Sequence, residues 1–164
     1  LLGFATIIDR AVGAIGIAAS FLTLPMICVI LLEVVLRYFF NAPTIWALES
    51  AQIMFGFMFL LGAAYTLRED GHVRVEIAYM YTGKRATAGL KIFALLFVFL
   101  YCGTVLYYGG IRALDAISIE ERHFSVWSPI VYPVISMIPV AAGLMILQGL
   151  AQLIREVARL RGDD

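Results

Sequence analysis

Charged residues along this chain are confined to the gaps between four long apolar blocks. Residues 11–32, 50–67, 92–111 and 124–154 contain no Asp, Glu, Lys or Arg, and each block is 18 residues or longer. That length lets a helix cross roughly 30 Å of hydrocarbon with some help from its flanks. The pattern predicts an all-α polytopic membrane protein: four transmembrane helices plus short interfacial helices, in a single domain over 1–164. The spans are expected at about 8–37, 44–68, 86–111 and 128–154, with interfacial segments at about 72–83 and 112–120.

Within the first span, Gly13, Gly16 and Ser20 offer small residues, and Gly16 with Ser20 makes a small-xxx-small face for a close neighbour. Pro25 lies mid-span and predicts a kink. Asn41, Ala42, Pro43 and Thr44 read as a tight turn in which either Asn41 or Thr44 caps the second helix. Between the second and third spans, Val73, Ile77, Met80 and Tyr81 recur at helical spacing with Arg74 and Glu76 among them. That suits a short helix lying in the membrane interface and ended by Gly83, although Val73 and Val75 equally fit the start of an extended piece. The third pattern continues past Gly109 and Gly110 to about Glu120, so either the helix protrudes or it bends at the glycine pair. Ser128 and Pro129 read as N-cap and first-turn proline of the fourth helix, which Pro133 and Pro139 then interrupt.

Composition agrees with the pattern. The chain has 164 residues, 62% hydrophobic and 15% charged, and a mean hydropathy of +0.92. Four spans leave no room for a soluble catalytic domain. With 12 basic and 12 acidic residues the net charge is zero, so nothing points to nucleic acid as a partner. The basic residues are unevenly placed: leaving aside Lys91 near the cytoplasmic start of the third span, eight lie before the first span, after the fourth or between the second and third, and three (Arg37, Arg112 and Arg122) lie opposite. The positive-inside rule puts both termini and the middle connection in the cytoplasm. The chain begins Leu1-Leu2 without Met, so residues preceding it are expected. The first block is too long for a signal-peptide core and has no obvious small-residue cleavage site, so it reads as a retained helix.

Candidate chemistry is sparse. Glu33 and Arg37 are four apart on one helix face, and Glu49 lies at similar depth on the next, antiparallel helix. Arg37 is therefore expected to bridge Glu33 and Glu49. Charges at membrane depth persist when paired or facing a wet path. The set reads either as a network locking the hairpin or a subunit contact, or as a carboxylate that carries protons or cations. His72 and His123 fall outside the spans, which disfavours a bis-histidine haem anchor, and the loops offer no zinc cluster. Cys28 and Cys102 fall within spans without CxxC spacing and read as inert thiols. No catalytic residue, cofactor site or metal site is expected. Trp46 and Trp127 belong to the interfacial belt.

The run Leu36-Arg37-Tyr38-Phe39-Phe40-Asn41-Ala42-Pro43, followed by Trp46 and Glu49, resembles the small membrane subunit (DctQ-like) of tripartite ATP-independent periplasmic (TRAP) transporters. Leu61-Gly62-Ala63-Ala64-Tyr65, then Arg68 and Gly71-His72-Val73-Arg74-Val75-Glu76, is similar to that family's second signature, where the last position is often Asp. Trp127-Ser128-Pro129 and Gln148 also fit, and the likeness covers nearly the whole chain. The resemblance implies a bacterial inner-membrane accessory or scaffold subunit without enzymatic activity. It implies a large permease subunit and a periplasmic binding protein as partners, with membrane lipids around them, in sodium-driven uptake of an organic acid. It makes Arg37, Asn41, Trp46, Glu49, His72 and Arg74 family-pattern positions for structure or subunit contact, alongside Glu33. The competing readings are a small multidrug-resistance-type exporter, which would keep its glutamate mid-membrane, and a structural anchor of another complex.

Overall fold

The computed structural model describes residues 2–69 and 84–161. Its helices are α1 (Leu2–Ser20), α2 (Thr23–Phe39), α3 (Ala47–Arg68), α4 (Lys84–Ser118) and α5 (Tyr132–Arg161). They supply four segments long and apolar enough to cross a membrane: Ala5–Phe39, Ala47–Arg68, Ile92–Ser118 and Tyr132–Ala158. Among the described residues the only extended pairing is an isolated bridge between Arg122 and Ile130. The protein is all-α, with four membrane-spanning helices. The interfacial segment expected at 72–83 lies outside the described residues.

The first span is broken at Phe21 and Leu22, between α1 and α2. The cause is Pro25, four residues downstream: it has no N–H for the Phe21 carbonyl, and its ring crowds that oxygen. The chain tightens instead. Phe21, Leu22 and Leu24 donate to the carbonyls of Ala18, Ala19 and Phe21, each three residues back, at 3.1–3.3 Å.

In lipid, apolar burial gives helices little reason to associate, and close packing of small residues takes its place. Ten of the fifteen buried apolar residues among those described are alanines. α5 is central, packed against α1, α3 and α4, while α2 packs on α3. A cluster of Ala5, Ile8, Val12, Ala64 and Ala151 joins α1, α3 and α5, with Tyr65, Leu144 and Met145 against it. Gly16 lets the Tyr65 side chain of α3 press onto the α1 backbone: a Cβ built at Gly16 would fall 2.5 Å from the Tyr65 Cβ. Ser20, the other half of the expected small-residue face, is exposed and donates to the Ile17 carbonyl at 2.7 Å.

α4 runs antiparallel to α5. Phe99 and Leu95 face Gly149, and Gly109 faces Ile138 and Pro139. The glycine pair therefore does not end the helix. Gly109 admits the proline turn of α5, and α4 continues to Ser118 over 35 residues, about 52 Å. Residues 112–118 are its last turns, longer than a bilayer core requires even at a generous tilt. α4 stops in a Schellman arrangement: Glu120 is left-handed at φ 47°, its N–H reaches the Ile117 carbonyl at 3.2 Å, and the Glu121 N–H reaches that of Ala116 at 2.9 Å.

The fourth span starts at Tyr132, four residues beyond the expected Ser128 cap. Ser128 has φ 50°, a left-handed backbone incompatible with an N-cap. The Pro129 carbonyl is turned back to accept the His123 N–H at 2.9 Å, and Val131 N–H bonds the Glu121 carbonyl at 3.1 Å. These bonds close residues 121–131 into a loop. Pro133 then falls in the first turn of α5, where its missing N–H costs nothing, so Pro139 alone interrupts the helix.

Candidate functional site: polar networks at the two ends

The charged groups of the described spans gather at opposite ends of the bundle. At the end formed by the start of α1 and the ends of α3 and α5, Asp9 is the hub. One of its carboxylate oxygens accepts from Arg155, an ion pair, and the other accepts from Gln148 Nε2 at 2.9 Å. Gln148 is fully buried, and its Oε1 has no partner among the described residues. One turn further along α5, Gln152 donates to the Leu67 carbonyl. That carbonyl is one of the orphan acceptors at the end of α3. Arg68 lies 5.7 Å over the Tyr65 ring, against Gly13 of α1, and pairs with Glu69 at 3.1 Å.

At the opposite end, Glu33 is the hub. It is 9% exposed. Arg37 donates Nε to its Oε1 at 3.0 Å, with a second bond from Nη2. Glu33 Oε2 accepts the Thr44 N–H at 3.0 Å and the Thr44 hydroxyl. Thr44 Oγ1 in turn accepts the Ala47 N–H at 3.4 Å at the approach to α3. Asn41 does not cap α3: it is left-handed at φ 51° and closes the end of α2, where the Ala42 N–H reaches back to the Leu36 carbonyl at 3.0 Å. Trp46 is half-buried and immediately precedes α3, its carbonyl accepting the Ser50 hydroxyl at 2.8 Å.

The expected bridge from Arg37 to Glu49 is not formed. Thr44 supplies the second set of donors to Glu33, and Glu49 turns the other way, accepting the Ser125 hydroxyl at 2.8 Å from the loop before α5. Ser125 Oγ also accepts the Ser128 N–H at 3.0 Å, so Glu49 ties that loop to α3. Glu33, Arg37 and Thr44 form one unit and Glu49 belongs to another. His72 and Arg74 lie outside the described residues. Among the described residues, no three His, Cys, Asp or Glu side chains converge as metal ligands.

A second clamp holds the same loop. Arg112 of α4 donates to Glu121 at 2.6 Å. That hydrogen bond, with the guanidinium charge behind it, keeps the Glu121 carboxyl below the usual glutamate range against the opposing effect of burial. A depressed folded pKa stabilises the fold above the unfolded value, and the contribution is lost as pH falls through the folded pKa. Glu121→Gln is therefore expected to melt slightly below the unsubstituted protein at neutral pH. The gap should close as pH falls below about 4. A gap that persists unchanged into acid would contradict the clamp.

Between the first turns of α3, the loop and the start of α5 lies a cleft of about 190 Å³, lined by Glu49, Gln52 and Ile53, by His123, Pro129 and Val131, and by Val134. Periodicity gave no signal for it, because Ser125 and His123 reach α3 only through the closed loop. The Asp9 hub had one: Gln148, Gln152 and Arg155 recur at i, i+4, i+7 on one face of an otherwise apolar span.

Residues 26–159 match the family described as tripartite ATP-independent periplasmic transporters, DctQ component. The chain is also similar to the C4-dicarboxylate TRAP transporter small permease protein DctQ of Vibrio cholerae serotype O1 (strain ATCC 39315 / El Tor Inaba N16961), with 38% identity over 45 residues. That match covers 27% of this chain and 19% of the relative. With four membrane-spanning helices and a family match over most of its length, the chain belongs to the DctQ family, the small membrane component of TRAP transporters.

Proposed function

We propose that this protein is the accessory, scaffolding subunit of a sodium-coupled TRAP transporter that imports an organic acid. It pairs with a large permease subunit in a transporter served by a periplasmic binding protein, and sits in the bacterial inner membrane with both termini in the cytoplasm. The observation that carries the reading is family membership over residues 26–159. The exposed apolar faces support it: Ile27, Leu31, Val34 and Tyr38 on α2, and Phe93, Leu96, Leu100 and Tyr107 on α4. These faces suit lipid or a membrane partner and leave the subunit wide rather than closed around a pore. The arrangement of Glu33 also supports it, because a carboxylate held by Arg37 and Thr44 near one end of its span is tied down, unlike a mid-membrane proton carrier. Glu33, Arg37, Asn41, Trp46 and Glu49 then serve structure and subunit contact, and the chain does no enzymatic work. A carboxylate cargo agrees with the name of the Vibrio relative, a C4-dicarboxylate transporter component.

Reconstituted alone in liposomes with a sodium gradient and a loaded binding protein, the subunit is expected to give no uptake above empty vesicles. Adding the permease subunit should restore it. Specific uptake by the small subunit alone would overturn the accessory reading.

A further inference from the structure

The cleft at Glu49 has a composition that the networks around it do not explain. Its lining contains a carboxylate, an amide and an imidazole, but no Lys or Arg. Among the described residues, Arg37 and Arg112 are engaged with Glu33 and Glu121, Arg122 beside His123 is exposed and turns a guanidinium N–H to the Ser128 carbonyl at 3.5 Å rather than lining the cleft, and Ser125 meets Glu49 through one carboxylate oxygen. The lining thus offers an acidic side chain with no basic one of its own beside it.

Its position narrows the occupant. α3 has 22 residues, about 33 Å, close to the thickness of the hydrocarbon core. Glu49 is in the first turn of α3 and therefore lies at headgroup level. Gln52 sits about 4.5 Å deeper, on the exposed stripe of α3 that also carries Leu48, Phe55 and Phe59. A lone amide in a stripe of exposed apolar side chains is costly against acyl chains unless it has a polar partner at that depth. The cleft thus opens sideways toward the membrane, with Ile53, Val131 and Val134 as apolar walls.

We propose that this cleft binds a phospholipid whose headgroup is a primary ammonium, as in phosphatidylethanolamine. Glu49 accepts hydrogen bonds from the ammonium, Gln52 bonds the glycerol-ester region below it, and the His123 imidazole meets the phosphate. The apolar walls lead on to the acyl chains. A quaternary ammonium has no N–H to donate, so charge-assisted hydrogen bonding to Glu49 distinguishes the two headgroups. The inference rests on the membrane-spanning fold and not on the identity of the transported acid.

Native mass spectrometry of the full chain in detergent, offered equal amounts of phosphatidylethanolamine and phosphatidylcholine, tests it. Retention should favour phosphatidylethanolamine by about tenfold and fall stepwise through the mono- and dimethylated headgroups. Glu49→Gln should reduce the preference to near unity, and Gln52→Leu should weaken it while leaving the Glu49–Ser125 bond in place. His123→Ala should lower retention of both lipids alike. If Glu49→Gln fails to fold, the methylation series on the unsubstituted protein and Gln52→Leu still decide the matter. Equal retention of both lipids, or a preference that survives the Glu49 and Gln52 substitutions, would overturn the proposal. So would release of the bound phosphatidylethanolamine on adding the permease subunit, which would assign the cleft to a basic side chain of that partner.

Discussion

Gly16→Ala is expected to destabilise the bundle by about 1–3 kcal/mol, whereas Gly13→Ala, one turn earlier on the same helix, should be close to neutral. Alanine favours a helix over glycine by about 1 kcal/mol, so the two sites start with the same advantage. What differs is the neighbour. At position 16 the new methyl would fall 2.5 Å from the Tyr65 Cβ and 2.6 Å from its Cγ. The Tyr65 Cβ is fixed by the α3 backbone and no rotamer moves it away, so α1 and α3 must separate beside the cluster of Ala5, Ile8, Val12 and Ala64. At position 13 the closest atom is Arg68 Nη1 at 2.6 Å, the far end of a flexible side chain that can rotate aside. Gly62→Ala meets nothing within 4 Å and serves as a third reference, unchanged or slightly stabilised. Thermal melts in detergent, read by tryptophan emission and by size-exclusion recovery, separate these outcomes. Equal melting temperatures for the alanine variants at positions 13 and 16 would mean that α1 and α3 are not in close contact.

The contrast between Gly16 and Gly13 also marks how far the sequence could be read. The spans were legible because exclusion of charge from 18 or more consecutive residues has one inexpensive explanation in a chain this apolar. Pro25 announced a disturbance in the first span, and its effect appears at Phe21 and Leu22 because the missing N–H belongs to the carbonyl four residues back. Ser128-Pro129 was misleading. A Ser-Pro pair has the composition of a helix start, but the left-handed φ of Ser128 is imposed by a loop closed from outside, through Ser125, Pro129 and Val131. The polar hubs divide in the same way. Glu33 and Arg37 are four apart and were readable. Glu49 with Ser125 is a contact across 76 residues, and Asp9 with Arg155 one across 146. No local pattern selects such partners, and only the packing of α5 against α1 and α3 brings them together.

Glu33→Ala is expected to be more damaging than Glu49→Ala, the reverse of what an Arg37–Glu49 bridge would imply. Removing Glu33 leaves the Arg37 guanidinium without its acid and the Thr44 N–H without its acceptor, beside a site that is 9% exposed. Arg37 is 53% exposed, so water solvates the freed guanidinium, and the larger part of the loss comes from the Thr44 N–H left without its acceptor. Glu49→Ala leaves that unit intact and gives up one hydrogen bond to Ser125, about 1 kcal/mol. Arg37→Ala should fall between the two, because Glu33 keeps both bonds from Thr44. The connection from α2 to α3 should loosen first. Limited proteolysis near Asn41 and Pro43 is expected to accelerate in the Glu33 variant and stay at the unsubstituted rate in the Glu49 variant, whose nicking should rise instead near Phe124 and Val126, the fully exposed tip of the loop that Ser125 anchors. Accelerated cleavage near Asn41 in the Glu49 variant, with the Glu33 variant unaffected, would restore the Arg37–Glu49 bridge and remove Thr44 from the network.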